Sequence, residues 1–279
     1  TQRPFTGLTL NGGLRYDEDH RRQTDVGTGA LRTDTFDHLQ PKVTLTWKPQ
    51  DGRLVYATYS TGFRSGGFNA PNVAVLSFKP ETLENFEVGF KTQFFDRRLT
   101  INGAAFLTNV DNYQYFYVEA VSASQIIDSI DKVRIKGFEL EMIGNLAPGL
   151  DASFAFGTTD SEIRKSIFPA DVGNHTPRTV PFSSTASLQY RQALTGETDG
   201  FVRVEWQHIG KKYWGADNAA VQGAYDIVNA RVGVEHGKLG VYAYVLNLLD
   251  DKYYGEFFQP KYSGLDIDIS GVERKSGGL

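Results

Sequence analysis

The chain has 279 residues, no cysteine and a formal net charge of −4, with 40% apolar and 13% aromatic residues. The missing cysteines exclude disulfide frameworks and thiolate metal sites. A near-balanced charge without a concentrated basic face excludes the usual nucleic-acid binders. Abundant glycine, a single methionine and aromatics that are mostly Phe and Tyr favour strands over helices.

From Phe5 to Asp17 the sequence alternates through Leu8, Leu10, Leu14 and Tyr16, then enters the charged run Asp17–Arg22 and a polar stretch read as loop to about Asp34. A second strand, Pro41–Trp47, carries Val43, Leu45 and Trp47 on one face and Thr44 and Thr46 on the other. Pro49-Gln50-Asp51-Gly52 turns it into RLVYATYSTGF, which runs into the glycine-rich RSGGFNAPN. The segment Glu81–Asn109 states the plan most clearly. Phe86, Val88, Phe90, Thr92 and Phe94 alternate with Glu87, Gly89, Lys91 and Gln93, and after Asp96-Arg97-Arg98 the alternation resumes from Leu99. This is a hairpin of period two, with strands far longer than the ~5–6 residues usual in globular proteins.

The second strand continues into the aromatic DNYQYFYV, and Ser122–Asp131 reads as a loop. KVRIKGFELEMIGNL then sets Phe138, Leu140 and Met142 against Glu139 and Glu141 and turns at Pro148-Gly149 into LDASFAFGTTD. A polar loop ends near Arg178. SSTASLQYRQ, LTGETDG and FVRVEWQHIGKKYWG make the next hairpin, and YDIVNARVGVEH with LGVYAYVLNLLDDKYY the last.

Tight turns recur near Asp51, Asp96, Pro148, Gly196 and Gly237, and polar loops of roughly 10 to 25 residues separate them. No run reaches the ~18 apolar residues of a membrane helix, but alternating strands escape that test, since a tilted strand crosses in ~9–11 residues with only one face apolar. Long strands, short turns on one rim and long loops on the other predict an all-β fold, an antiparallel up-and-down transmembrane β-barrel with about eleven strands present. The N-terminal TQRPFTG carries no signal peptide, as expected of a cytosolic protein or of a fragment whose beginning is missing.

The phrases LVYATYSTGFRSGGFN, KPETLENFEVGFKTQFFDRRLTINGAAFLTNVDNYQ, IKGFELE and YVLNLLDDKYY resemble the C-terminal barrel segments of TonB-dependent outer-membrane receptors. In that family they recur as Tyr-x-x-Gly-Phe-Arg, Pro-Glu-x-x-x-x-x-Glu-x-Gly-x-Lys and Asn-Leu-x-Asp-x-x-Tyr. The resemblance runs from about Leu8 to Tyr254 and implies a ~22-stranded barrel around an N-terminal plug. On this reading residues 1–279 are the C-terminal half of the barrel domain, in the Gram-negative outer membrane, without plug or TonB-contacting box. The tail SGLDIDISGVERKSGGL lacks the expected final strand with its terminal aromatic. The implied function is TonB-energised uptake of a scarce ligand: a siderophore–iron complex, a corrinoid or a glycan. The implied partners are outer-membrane lipid, TonB and the plug. The rivals are a passive porin-like channel and a soluble secreted carbohydrate-binding β-protein.

Most polar motifs take structural readings. Gly62, Gly66 and Gly67 precede no helix, so a bend or loop rim outweighs a phosphate cradle. Asp17, Glu18, Asp19 and His20 lack EF-hand spacing and read as a solvated loop, as do Asp266 and Asp268. The histidines His20, His38, His175, His208 and His236 have no metal-ligand spacing. Glu139 and Glu141 read as lumen-facing neighbours, not an acid/base pair. No enzymatic chemistry, cofactor or resident metal is expected. The aromatics Tyr113, Tyr115, Phe116, Tyr117, Tyr213, Trp214, Tyr253, Tyr254, Phe257 and Phe258 fall where strands meet long loops and read first as a headgroup-level girdle. The second reading makes ligand contacts of Tyr113, Tyr115, Tyr117 and Trp214, joined by Arg64 and Arg178 as attractors for an anionic iron chelate.

Overall fold

The computed structural model describes residues 7–119, 124–257, 260–261 and 272–274. Its body is one antiparallel sheet of eleven long strands in strict sequence order. They are β1 (Leu8–Thr24), β2 (Leu31–Gln50), β3 (Arg53–Arg64), β4 (Glu81–Phe94), β5 (Leu99–Glu119) and β6 (Ser124–Ala147). The meander continues through β7 (Leu150–Lys165), β8 (Phe182–Thr195), β9 (Thr198–Ile209), β10 (Tyr225–His236) and β11 (Leu239–Val245). Strands β1 and β11 end the sheet and do not pair with each other, so the wall is open. No helix among the described residues is long and apolar enough to cross a membrane.

Register sorts the side chains into two solvents. Leu10, Leu45, Ala57, Val88, Ala105 and Phe138 lie opposite one another across six strands and form one row. One residue along, Asn11, Thr44, Thr58 and Glu87 form the neighbouring row on the other face. A slip of one residue in any pair would exchange these faces. The apolar rows are bare, with Leu10 70% and Val88 58% exposed, which in water would be a large aggregation-prone patch and in a bilayer is the lipid contact.

The apolar band has sharp edges. On β1 it runs from Leu8 to Tyr16, about the ~9–11 residues of a tilted crossing. Above it the same face turns ionic, with Lys132 paired to Asp111 at 3.2 Å and Lys136 to Asp160 at 3.1 Å. At that boundary the Tyr16 and Tyr59 hydroxyls donate to Glu18 (3.1 Å) and Glu84 (3.2 Å), rings in the apolar layer and oxygens at the polar edge. Exposed Trp47, Phe95 and Tyr190 mark the opposite edge, near the tight turns. These residues mark the edges of the apolar band, whereas Tyr117 and Trp214 of the loop-rim aromatics are buried.

Most short turns use glycine in the left-handed region: Gly52 (φ +72), Gly149 (+75), Gly196 (+50) and Gly237 (+56). The β4–β5 turn instead places Phe95, Asp96 and Arg97 there. Within the wall, Tyr56 lies over Gly89, where a Cβ would come within 2.6 Å of the ring. The same ring donates a 2.7 Å hydrogen bond to Glu87 on the polar face. Asn102 donates to Glu141 at 2.9 Å on that face, so Glu141 stands on the polar side of the wall.

Several segments read as loop are strand. The charged run through Thr24 pairs with the stretch from Leu31, leaving only a short turn between β1 and β2. Its acids are divided between faces: Asp17 meets Arg15, Glu18 meets His20 and Asp19 meets Arg21. Residues 124–131 begin β6, and the LTGETDG connection shrinks to Gly196-Glu197. Conversely, the last predicted strand stops at Val245. Asn247 and Leu248 then hold to β10 through bonds to Asn229 and Val228, and Tyr253–Glu256 forms a short ribbon with Val272–Arg274. Asp266, Asp268 and Phe258 lie outside the described residues.

Two substitutions test the two-faced wall in a full-length receptor refolded into lipid vesicles. Val88→Arg is expected to cost about 2–4 kcal/mol in unfolding free energy, while Lys91→Gln on the opposite face stays within about 0.5 kcal/mol. Gly89→Val is expected to displace the Tyr56 ring and reduce the heat-resistant barrel band on electrophoresis.

Candidate functional site

Above the apolar band the strands continue. Asn112 in β5 has φ +55, and Val110 below it and Tyr113 above it pack against one apolar cluster of Ile130, Val133, Ile163 and Ala216. A straight strand would point those two side chains to opposite faces. The left-handed step thus redirects the upper aromatic run toward the loops. Asn112 is itself held by a bond from its side-chain amide to the Pro80 carbonyl (3.2 Å).

The loops 65–80, 166–181, 210–224 and 246–257 assemble around this hairpin. Asn69 donates to the carbonyls of Val75 (2.9 Å) and Ile127 (2.8 Å) and accepts from the Ile127 N–H (2.9 Å). Asn218 ties two other loops, accepting from the His175 N–H and donating to the His175 carbonyl, each at 2.9 Å. The loop rim is therefore a preorganised surface.

At its centre sits Arg178. Its backbone adopts φ +63, unusual for a long side chain, and its N–H donates to the Tyr213 carbonyl at 2.6 Å. Its guanidinium lies 3.9 Å from the centre of the Phe116 ring and 6.0 Å from Trp214, and contacts Glu256 at 2.7 Å. Lys212 approaches the Trp214 ring at 4.3 Å. Burial lowers the pKa of the Arg178 guanidinium and of the Lys212 ammonium, in both cases against the pull of the Glu256 carboxylate. Burial and the Glu81 carboxylate push the Tyr113 phenol up, against Arg64, Thr176 and Arg178. Two cations on aromatic rings with one carboxylate form a polarised, half-dry surface suited to hold an anionic or planar group.

The structure thus brings together Arg64, Tyr113, Arg178 and Trp214. Arg64 stands 3.9 Å from Glu81, which in turn accepts the Gln114 N–H at 2.6 Å. Tyr115 packs against the same cluster as Tyr113 and bridges it to a second one, in which Tyr117 sits. Tyr117, 8% exposed, packs with Val73 and Ile126 under the loop that follows β3, and Tyr115 joins that cluster. Trp214, at 6% exposure, is likewise no lipid-facing girdle residue. Phe116, Lys212 and Glu256 complete the site and were not singled out as ligand contacts from the sequence. The Lys-Lys-Tyr-Trp run at 211–214, cations directly beside aromatics, was the available signal.

Gly66 and Gly67 pack closely against their neighbours. A Cβ on Gly66 would meet the Phe36 ring at 2.6 Å and the Phe78 carbonyl at 2.7 Å, and Gly67–Phe68 pairs with Ser77–Phe78 in a small ribbon. The histidines serve structure. His38 stacks on Phe63, His175 on Tyr213, and His208 meets Asp226 at 3.0 Å.

A sheet with one lipid-facing side, one polar side and a loop-borne cationic–aromatic surface defines the wall of a membrane-spanning receptor barrel. The model of the family described as "TonB dependent receptor-like, beta-barrel" matches residues 1–248. The chain belongs to that family, whose members are outer-membrane transport receptors rather than enzymes. It is 27% identical to the probable TonB-dependent receptor BfrD of Bordetella pertussis over 92% of this chain and 36% of that protein. It is 23% identical to the catecholate siderophore receptor Fiu of Escherichia coli K12 over 91% of this chain and 37% of that one. The solved ferric yersiniabactin uptake receptor FyuA of Yersinia pestis shares the fold, with a TM-score of 0.77 at 21% identity, over 92% of this chain and 40% of that one. The siderophore receptor PiuA of Acinetobacter baumannii gives 0.70 at 20% identity, over 89% and 37%. The chain therefore spans about two fifths or less of the length of these relatives.

In a full-length receptor carrying Trp214 as its only tryptophan, Arg178→Ala is expected to raise acrylamide quenching of the indole emission, and Arg178→Lys to raise it less. Unchanged quenching in both would show that the guanidinium does not shield the ring.

Proposed function

We propose that the chain acts as part of the wall and ligand-selecting rim of a full-length receptor that takes up a siderophore–iron complex across the outer membrane, energised by TonB. The observation that carries this reading is the convergence of Arg178, Lys212, Phe116 and Trp214 at the loop rim, directly above a polar-faced wall. The names of the relatives support the same ligand class. On this reading the loops bind, the polar face lines the passage, and a plug supplied by the rest of the receptor gates it. The wall carries out no covalent chemistry. Arg64, Tyr113 and Arg178 are the proposed ligand-facing residues, with the buried Trp214 as the ring beneath them, and Tyr115 and Tyr117 hold the loops that present them.

The test is iron-limited growth of a strain whose own siderophore receptors are deleted, expressing the full-length receptor. Growth on a supplied siderophore is expected to require the receptor and to disappear when TonB is absent. Growth that persists without TonB would favour a passive channel and overturn the energised reading. Arg178→Ala is expected to weaken siderophore binding by about tenfold, the effect of losing ~1.4 kcal/mol.

A further inference from the structure

Two asparagines of the loop rim make the same contact. The side-chain amide of each pairs with both main-chain groups of a single residue in another segment, as a neighbouring strand would. Asn69 donates to the Ile127 carbonyl at 2.8 Å and accepts from the Ile127 N–H at 2.9 Å. Asn218 does the same to His175, with both bonds at 2.9 Å.

Each clamp stands where no strand is available. Residues 124–130 of β6 pair with β5 alone among the described strands, because β7 joins β6 only from Lys132. His175 lies in the loop between β7 and β8. Both asparagines are heavily committed. Asn69, 6% exposed, also donates from its amide to the Val75 carbonyl (2.9 Å) and from its backbone to Leu76 (3.0 Å), and its own carbonyl accepts from Gln23 (3.1 Å). Asn218 also donates to the Gly215 carbonyl at 3.1 Å, from a φ of +55 that Asn tolerates better than most residues. Removing either amide would leave two main-chain groups without their partner at once.

The two clamped residues flank one contact. Ile127 is the register partner of Phe116, and Phe116 is the ring 3.9 Å from the Arg178 guanidinium. His175 lies one short step before Arg178 in the chain and stacks on the Tyr213 ring at 5.6 Å, while the Tyr213 carbonyl accepts the Arg178 N–H at 2.6 Å. Asn69 thus fixes the ring side and Asn218 the guanidinium side. We infer that Asn69 and Asn218 are positioning residues that together set the Arg178–Phe116 contact, and through it the cover over Trp214. This deepens the uptake reading by naming what holds its surface in shape, and it rests on that reading only for the use to which the surface is put.

The experiment uses the full-length receptor in detergent, without ligand and with Trp214 as its only tryptophan. Asn69 shares no hydrogen bond or ring contact with Trp214 among the described residues, so a merely local role would leave the indole unaffected. Asn69→Ala is expected to raise acrylamide quenching of the Trp214 emission toward the level of Arg178→Ala. Asn218→Gly, which keeps the positive φ unstrained, is expected to do the same. In an Arg178→Ala background neither substitution is expected to raise it further, because the contact they set is already gone. All variants are expected to keep the heat-resistant barrel band. If Asn69→Ala loses it, Asn69→Asp, which retains the acceptor for the Ile127 N–H, takes its place in the same comparison. Unchanged quenching when either asparagine is replaced, or increases that add in full to that of Arg178→Ala, overturns the assignment. With no ligand present, that failure leaves the uptake reading to its own growth test.

Discussion

Backbone hydrogen bonding in hydrocarbon is the constraint from which this structure follows. Lipid offers no partner to an amide, so every N–H and C=O at membrane depth must be satisfied by a neighbouring strand. The ladders from β1 to β11 do this, shifting register only next to tight turns and above the band at Lys132/Val133, and they also fix which side chains meet lipid. Once Val88 lies between Ala57 and Ala105, Glu87 and Lys91 have no choice but the polar side. The same rule explains why the chain changes character at the edge of the apolar band. Beyond Tyr16 and Tyr59 water is available again, both strand faces become polar, and backbone departures such as those at Asn112 and Arg178 become affordable.

Those departures make the functional surface. A sheet alone presents side chains in regular rows and cannot gather cations onto rings. The left-handed step at Asn112 turns the upper β5–β6 hairpin so that its aromatic residues face the loops rather than solvent or lipid. Arg178 is then held between Phe116, Trp214 and Glu256, contributed by three separate parts of the chain. Charge, ring surface and partial burial occur together there, in a rim braced by Asn69 and Asn218. The membrane wall is generic and the rim is particular, which is how one barrel family can serve ligands of different chemistry.

The wall was legible in the sequence because alternation, turn residues and strand length are local signals. The Asp96–Arg98 turn and the two-faced pattern from Phe86 to Lys91 fall where the sequence placed them. The extents of the strands were not legible above the membrane. From Asp17 to Thr24 both faces are charged or polar, so no alternation announces that β1 continues. Residues 124–131 were hidden for a similar reason, since Asp and Ser interrupt the apolar residues there. Of the site, Arg64, Tyr113, Arg178 and Trp214 could be named from residue type and place near loops. That Tyr117 belongs to a loop core while Phe116 underlies Arg178 depends on a single backbone angle at Asn112, which no pattern of residue types records. Lys212 and Glu256 acquire meaning only from contacts across long sequence separations.

The division of one strand between two solvents is best measured residue by residue along β4. Single spin labels at 86 through 91 of the full-length receptor, reconstituted in a bilayer, would be read for collision with dissolved oxygen and with a water-soluble nickel chelate. The structure predicts a period of two, with positions 86, 88 and 90 favouring oxygen and 87, 89 and 91 favouring nickel. A flat profile, or one with helical period, would contradict a wall that separates lipid from a wet interior.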